Sequence, residues 1–343
     1  MNPTRALVLG FGYWGSIVSR AINAIDGISL DVIVEPDQVK RNLASKQFPN
    51  VRVISDLGEI SPAEVDFGYI GTPPNTHVDC ALRLLKLGIN VVVAKPMTLS
   101  IEDDLKLEEC ATDSGLKIFC DYTYLFTPAV RALKKIISSG QIGTPLFYAS
   151  NRTNLGLIRS DCNVVWDLAS HDFAIFQFLF ETKIEAVSSR GSFSKPSAQV
   201  STASISFTNA GVDPLFGSVF VSWFSAEKIR HIVIAGSEGS IVFNDASPSE
   251  KLFLIEGRVI HESGDRYEPE RITEYRIGEK QRIELENEEA LQIEFKQIAE
   301  DISGFAQIDT HINTKSIAMH TTEVCVAADK SMDSKGLEVK VGE

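Results

Sequence analysis

Three groups of residues in the chain have types and spacings that chemistry can use. The first is Gly10-Phe11-Gly12-Tyr13-Trp14-Gly15. It follows the apolar run Ala6-Leu7-Val8-Leu9 and precedes a helical pattern with Ile17, Val18, Ala21, Ile22 and Ile25 on one side. A second apolar run, Ile28 to Val34, ends on Glu35. Strand, glycine turn, helix, strand and acid stand in the order of a nucleotide-binding βαβ unit. Gly10 permits the tight turn, Gly12 lets the backbone approach a pyrophosphate, and Gly15 lets the helix pack on the sheet. Free N–H groups at the helix start, with the positive end of its dipole, then hold the phosphates. Glu35 can accept bonds from both adenosine ribose hydroxyls and would repel a 2′-phosphate. Positions 36 and 37 are Pro36 and Asp37, although Lys40 and Arg41 lie close enough to reach a phosphate. NAD is therefore favoured over NADP. An FAD site carries the same fingerprint and is the rival cofactor.

The second group lies in two segments expected at the carboxyl ends of parallel strands, where ligands of an open sheet bind. Gly71-Thr72-Pro73-Pro74-Asn75-Thr76-His77 follows one strand, and its prolines stiffen a loop that could wall a nicotinamide ribose. A purely structural reading makes Asn75 a helix N-cap and puts His77 in the first turn. Lys95-Pro96 ends another strand, after three valines. A partly desolvated ammonium there can hydrogen-bond a reacting hydroxyl, and a cis bond to Pro96 would aim it. The structural alternative is a solvated lysine at a strand end.

The third group is Trp166-Asp167-Leu168-Ala169-Ser170-His171-Asp172. On a helix Asp167 and His171 are i and i+4, within hydrogen-bonding reach. A carboxylate on one imidazole nitrogen fixes the tautomer and leaves the other nitrogen as a base. The surroundings are apolar (Val164, Val165, Leu168, Phe173, Ile175, Phe176), so these polar groups need partners or a function. The alternative is a helix packing a domain junction.

The elements that must position these residues follow from periodicity. Helix Pro36–Phe48, strands Val51–Ile54 and Asp66–Ile70, helix Thr76–Leu87 with Gly88 beyond it, strand Asn90–Ala94, helix Ser100–Asp113 and strand Lys117–Tyr122 continue the alternation. Six strands with crossover helices make a doubly wound α/β domain over residues 1–122. From 123 to 343 the chain reads as α+β. It has helix Pro128–Ser138, mostly antiparallel strands at Leu146–Thr153, Ile184–Phe193, Thr202–Phe207, Gly217–Trp223, Arg230–Ile234 and Ser240–Phe243, and a helix at Trp166–Phe180. Edge strands and loops are expected over 247–285, then helices Glu288–Ser303 and Thr314–Ser331.

Composition narrows the partners. The chain has 343 residues, 44% hydrophobic, and a net charge of −13, which opposes nucleic acid and anionic membranes. Its five cysteines show no metal-ligand spacing, so no structural metal is expected and reduced thiols are the default. The apolar stretch Val164 to Phe180 is interrupted by Asp167, His171 and Asp172, too polar for a membrane span. The first strand starts within a few residues of Met1, so a cytoplasmic location is expected.

Taken in order, these motifs resemble the glucose–fructose oxidoreductase, inositol dehydrogenase and rhizopine catabolism family (Gfo/Idh/MocA). Phe126-Thr127-Pro128-Ala129-Val130, Gly140-Gln141-Ile142-Gly143, Ser222-Trp223 and the Gly236–Gly239 turn are similar too. The resemblance spans essentially the whole chain. It implies an N-terminal Rossmann domain, a C-terminal open antiparallel sheet, and NAD(P)-dependent interconversion of a ring hydroxyl and a ketone on a sugar, sugar nucleotide or cyclitol. Carried over, Lys95 is the catalytic lysine, Asp167 and His171 the dyad, and Thr72, Pro73, Asn75, His77 and Pro96 cofactor contacts. One departure matters: Ala94 replaces the glutamate the family usually has before the lysine. The segment from Asn151 to Asp167 is similar to a branch associated with surface-polysaccharide and amino-sugar pathways. That implies Tyr124, Arg152, Asn154 and Arg159 on the substrate side, the arginines meeting a phosphate. The expected mechanism has His171, oriented by Asp167, taking the hydroxyl proton while Lys95 bonds the same oxygen. The alternative is a dinucleotide-binding sensor or partner subunit without catalysis. A homodimer or homotetramer through the second sheet is expected, because such a face usually needs covering.

Overall fold

Apolar runs separated by amphipathic segments build a six-stranded parallel sheet: β1 (Thr4–Leu9), β2 (Ile28–Val34), β3 (Arg52–Ile54), β4 (Phe67–Ile70), β5 (Asn90–Ala94) and β6 (Ile118–Asp121). Their order is β3-β2-β1-β4-β5-β6, every pair parallel. The helices between them are α1 (Tyr13–Asn23), α2 (Gln38–Gln47), α3 (His77–Lys86) and α4 (Ile101–Ser114). The computed structural model describes residues 3–343 except 157, 194, 196–198, 212–213, 263–270 and 305–311.

Local chemistry sets the helix ends. Asp37 caps α2 by accepting from Lys40 N, and Ser100 caps α4 by accepting from Asp103 N. Gly88 and Gly115 close α3 and α4 with φ of 73° and 64°, which glycine adopts at no steric cost.

The remaining strands form a second, nine-stranded sheet. Helix α5 (Pro128–Ser138) precedes β7 (Pro145–Thr153), and α6 (Ser170–Phe180) follows it. Then come β8 (Ile184–Phe193), β9 (Val200–Asn209), β10 (Phe216–Ser222), β11 (Ile229–Gly236), β12 (Gly239–Asn244), β13 (Leu252–Glu262) and β14 (Arg271–Arg282). The chain closes with α7 (Ala290–Ser303), α8 (Thr314–Asp333) and β15 (Val339–Lys340). The strand order is β14-β13-β12-β11-β7-β10-β9-β8-β15. Pairs are antiparallel except β7 with β10. Strands β13 and β14 fall at the edge, in the stretch expected to hold edge strands; residues 263–270 of that stretch lie outside the described ones. Aromatic edge contacts fix α6 on this sheet: Phe173 and Phe176 meet Phe207 of β9, and Phe176 meets Tyr148 of β7.

The division of the chain differs from the boundary expected after residue 122. One unit is Met1–Thr127 with Glu288–Glu323; the other is Pro128–Asn287 with Val324–Glu343. The cause is burial. Leu291, Phe295, Ile298 and Ala299 of α7 join Val18, Ala21 and Ile22 of α1 in the core of the parallel sheet, and Phe295 stacks on Phe67. The first half of α8 belongs to this unit as well; Lys315 pairs with Glu108, and Cys120 N donates to Thr314 Oγ1. A second difference is a π-helical turn, Val165–Ala169, where a continuous α-helix was expected. All five cysteines are free thiols.

Two outcomes are expected. A Cβ on Gly15 would lie 1.9 Å from the Gly10 carbonyl oxygen, whereas one on Gly12 would meet nothing within 4 Å. Gly15→Ala should therefore cost about 2–3 kcal/mol in urea unfolding. Gly12→Ala should stay within about 0.5 kcal/mol yet weaken dinucleotide binding, which titration reads. The second concerns Asp104 of α4, 1% exposed and bonded by Thr98 Oγ1. Burial pushes its carboxyl up to about 7, against lowering bonds from Thr322 and Thr98. The native state then keeps a proton that the unfolded chain has lost, so this group's contribution falls as pH rises from about 4 to 7 and is flat above. Asp104→Asn should stabilise more near pH 8 than near pH 4, with a difference of at most about 4 kcal/mol; unfolding curves at the two pH values measure it.

Candidate active site

In the first unit the glycine turn is closed by Glu35. Its Oε2 accepts from Phe11 N at 2.7 Å and its Oε1 from Asp37 N at 2.9 Å. The carboxylate is 4% exposed. A carboxylate has about four lone-pair sites, so two remain for other donors. Arg41 donates to the Glu35 and Pro36 carbonyls, which ties its guanidinium to the backbone. Gly10 has φ of 92°, and a Cβ there would sit 3.0 Å from Gly71 O. Unlike α2 and α4, helix α1, with Gly12 as N-cap, has no side-chain cap, and its first turn carries no acid. Space beside Gly12, an uncapped helix start and a buried carboxylate after β2 fit a dinucleotide: phosphates on the N–H groups, ribose on Glu35. Tyr13 and Trp14 are both exposed on this turn, at 84% and 37%, and Trp14 Nε1 bonds Asp121 Oδ2 at 2.8 Å.

The loops after β4 and β5 are stapled together by His77. The ring is fully buried; Nδ1 lies 3.0 Å from Pro96 O and Nε2 2.9 Å from Thr72 O. Both ring nitrogens thus meet carbonyl oxygens, so His77 sits inside the loop pair that presents Thr72 and Lys95. Thr72 Oγ1 accepts from Thr76 Oγ1, and Pro73 and Asn75 are exposed. Asn75 is not the N-cap of α3; Thr76 holds that place, without a side-chain cap bond. The Lys95–Pro96 peptide is cis, and Lys95 is half-buried. The β6 partner of Ala94 is Asp121, so a carboxylate stands one strand over from the position where the sequence has alanine.

In the second unit, Asn163 Oδ1 accepts from Val165 N and Trp166 N and so starts the π-turn. Asp167 is inside the turn, and His171 is in the first turn of α6; both are half-buried. Single π-turns recur at functional sites, because the extra residue re-aims side chains. Asp167 Oδ2 accepts from Trp223 Nε1 at 2.9 Å, and Arg159 Nη1 lies 3.9 Å from Asp167 Oδ1. Arg159 also donates twice to Asp161, at 2.9 and 2.7 Å, and that bond raises its pKa further. Trp166 Nε1 bonds Asp329 Oδ2 at 2.8 Å, tying the turn to the second half of α8.

The structure corrects the expectation for Arg152. It is 3% exposed, and its Nε and Nη2 bond Asp172, itself fully buried and also bonded by Ser150. Such a pair is spent inside the core. Asn154 Oδ1 accepts from Arg230, and Tyr124, in the first unit, is half-buried. The sequence reading used Trp223 only as a family mark and missed Asp121 altogether. A buried indole N–H needs an acceptor, which was the available signal for Trp223. Among the described residues no group of three His, Cys, Asp or Glu could hold a metal, and no helix is long and apolar enough to cross a membrane.

Comparisons with known proteins identify the family and the fold. Residues 4–122 match the model of the oxidoreductase family with an NAD-binding Rossmann fold, and residues 130–242 match the GFO/IDH/MocA C-terminal domain. The scyllo-inositol 2-dehydrogenase (NAD(+)) of Bacillus subtilis is 27% identical over 203 residues, 55% of this chain and 58% of that relative. D-apiose dehydrogenase of Paraburkholderia graminis is 23% identical over 250 residues, 69% of this chain and 66% of that protein. Among solved structures, the WlbA dehydrogenase of Bordetella pertussis in complex with NADH and UDP-GlcNAcA superposes with a TM-score of 0.80 at 15% identity, covering 100% of this chain and 99% of that one. GenD2 from gentamicin A biosynthesis in complex with NAD gives 0.81 at 18%, covering 100% and 97%. These two show a shared fold. The two matched models together cover most of the chain, and it belongs to the Gfo/Idh/MocA oxidoreductase family, with an NAD-binding Rossmann domain at its N-terminus.

Proposed function

We propose that the protein is an NAD-dependent dehydrogenase that interconverts a ring hydroxyl and a ketone on a sugar, sugar nucleotide or cyclitol. The observation that carries this reading is Lys95, half-buried at the carboxyl end of β5 in the dinucleotide-binding sheet and aimed by a loop pair that His77 holds. The inositol, apiose and nucleotide-sugar relatives support the substrate class. Glu35, with lone pairs left for a ribose, supports NAD over NADP.

Bound NAD+ supplies the hydride acceptor. His171 takes the hydroxyl proton as the carbon gives up its hydride, leaving a carbonyl. Asp167 is held by Trp223 and neighboured by Arg159, and in this reading it is the carboxylate that orients the imidazole. Lys95 donates to the reacting oxygen and stabilises its developing charge. Arg159, with Asp161 as its resting partner, is the cation that would exchange to a substrate phosphate or carboxylate. We further propose a homodimer or homotetramer through the second sheet. Phe147, Phe216 and Phe220 are 40%, 50% and 40% exposed; Phe216 pairs with Phe147, and Phe220 is on the same face four residues on.

Purified protein with NAD+ and a panel of cyclic polyols and nucleotide sugars should produce NADH from at least one of them. His171→Ala and Lys95→Ala should each lower kcat by about a hundredfold or more with circular dichroism unchanged. A panel that yields no NADH from protein that binds NAD+, or wild-type turnover in both variants, would remove the catalytic reading. Phe220→Asp should shift the light-scattering mass toward the monomer; an unchanged mass would remove the assembly.

A further inference from the structure

The indole of Trp14 is anchored far from its own segment. Its Nε1 bonds Asp121 Oδ2 at 2.8 Å, across 107 positions of sequence. The same oxygen accepts from the Tyr69 hydroxyl at 2.9 Å, and Asp121 Oδ1 accepts from Thr123 N and Oγ1 at 3.1 and 2.6 Å. Four donors converge on one carboxylate that is 3% exposed. Beside it Glu294 of α7 is fully buried, and burial and then the Asp121 charge push its carboxyl well up.

Trp14 is 37% exposed. It starts on the first turn of α1, after the end of β1, and its Nε1 meets β6 at Asp121, which the Tyr69 hydroxyl of β4 also bonds. Glu35 follows β2, on the other side of β1. A dinucleotide laid over the glycine turn with its adenosine ribose on Glu35 therefore extends its nicotinamide toward Trp14 and Lys95.

We propose that Trp14, fixed by Asp121, is the face against which the oxidised nicotinamide ring rests, and that the two make the site prefer NAD+ to NADH. This rests on the dinucleotide reading of the same unit. The oxidised ring is a pyridinium cation, and the reduced ring is neutral. An indole face attracts the cation, and so does a buried carboxylate close by; neither effect acts on the neutral ring. Asp121 also offsets the Lys95 ammonium, which follows the β5 partner of Asp121 and would otherwise repel the pyridinium. Asp121 is a positioning residue, because it acts through the indole and through its field.

Calorimetric titration of the full chain with NAD+, NADH and ADP-ribose tests this. ADP-ribose lacks the nicotinamide and reports the rest of the site. Trp14→Phe should weaken NAD+ by about tenfold, NADH by less than about threefold, and ADP-ribose not at all. NAD+ should also produce an indole charge-transfer absorption that Trp14→Phe abolishes. Asp121→Asn keeps an acceptor for the indole but loses the charge, so it should retain part of the NAD+ preference that Asp121→Ala loses. Equal losses for all three ligands would mean a collapsed turn and would overturn the proposal. An unchanged NAD+ to NADH ratio in Trp14→Phe would overturn it even if Asp121→Ala does not fold. Wild-type protein that binds none of the ligands would overturn the dinucleotide reading and this proposal together.

Discussion

Everything in the first unit depends on one close approach, that of Gly15 to the Gly10 carbonyl oxygen. No side-chain atom fits there, so α1 starts directly over the end of β1. That placement leaves the first N–H groups of α1 uncapped and pointed where an anion can bind. Glu35 then holds the turn shut from the next strand through Phe11 N. Two glycines and one acid thus set the geometry of the turn, and α1 is pressed onto the sheet by apolar residues supplied partly by α7.

The second unit solves a different problem, which is to hold polar groups in an aromatic core. Asp172 is satisfied by Arg152 and Ser150 in a buried, hydrogen-bonded ion pair. Asp167, one π-turn earlier, takes its indole partner from β10's end at Trp223. The π-turn separates the two carboxylates in their surroundings. Asp172 faces a permanent cation in the core, while Asp167 and His171 stay half-buried. Removing either partner of the Arg152–Asp172 pair would strand a buried charge, which explains why Arg152 has no freedom to meet a ligand.

Much of this was legible in the residues themselves. Six parallel strands with crossover helices followed from alternating apolar runs and amphipathic segments, because buried strands and half-buried helices have different periods. The caps at Asp37 and Ser100 and the left-handed glycines at 88 and 115 are local events, decided within a few residues of chain. Lys95 at a strand end, the cis bond to Pro96 and the Asp-x3-His spacing were visible for the same reason. Asn75 failed as a cap because Thr76 precedes α3 and bonds Thr72 and the Pro73 carbonyl instead.

What the sequence by itself determined is the set of local units: the glycine turn and its acid, the strand order's raw material, and the types of residue available for catalysis. Tertiary structure alone decided which distant groups meet them. Helix α7 returns to the first core across more than 160 residues, Asp121 reaches Trp14 from 107 positions away, and Trp223 reaches Asp167 from 56. It also decided that Arg152 is buried and Arg159 is not. Hydrophobic periodicity specifies which face of an element is buried, and a buried donor must find an acceptor. Neither rule says which segment supplies the partner, because that depends on chain closure over long loops, which leaves no mark in the residues between.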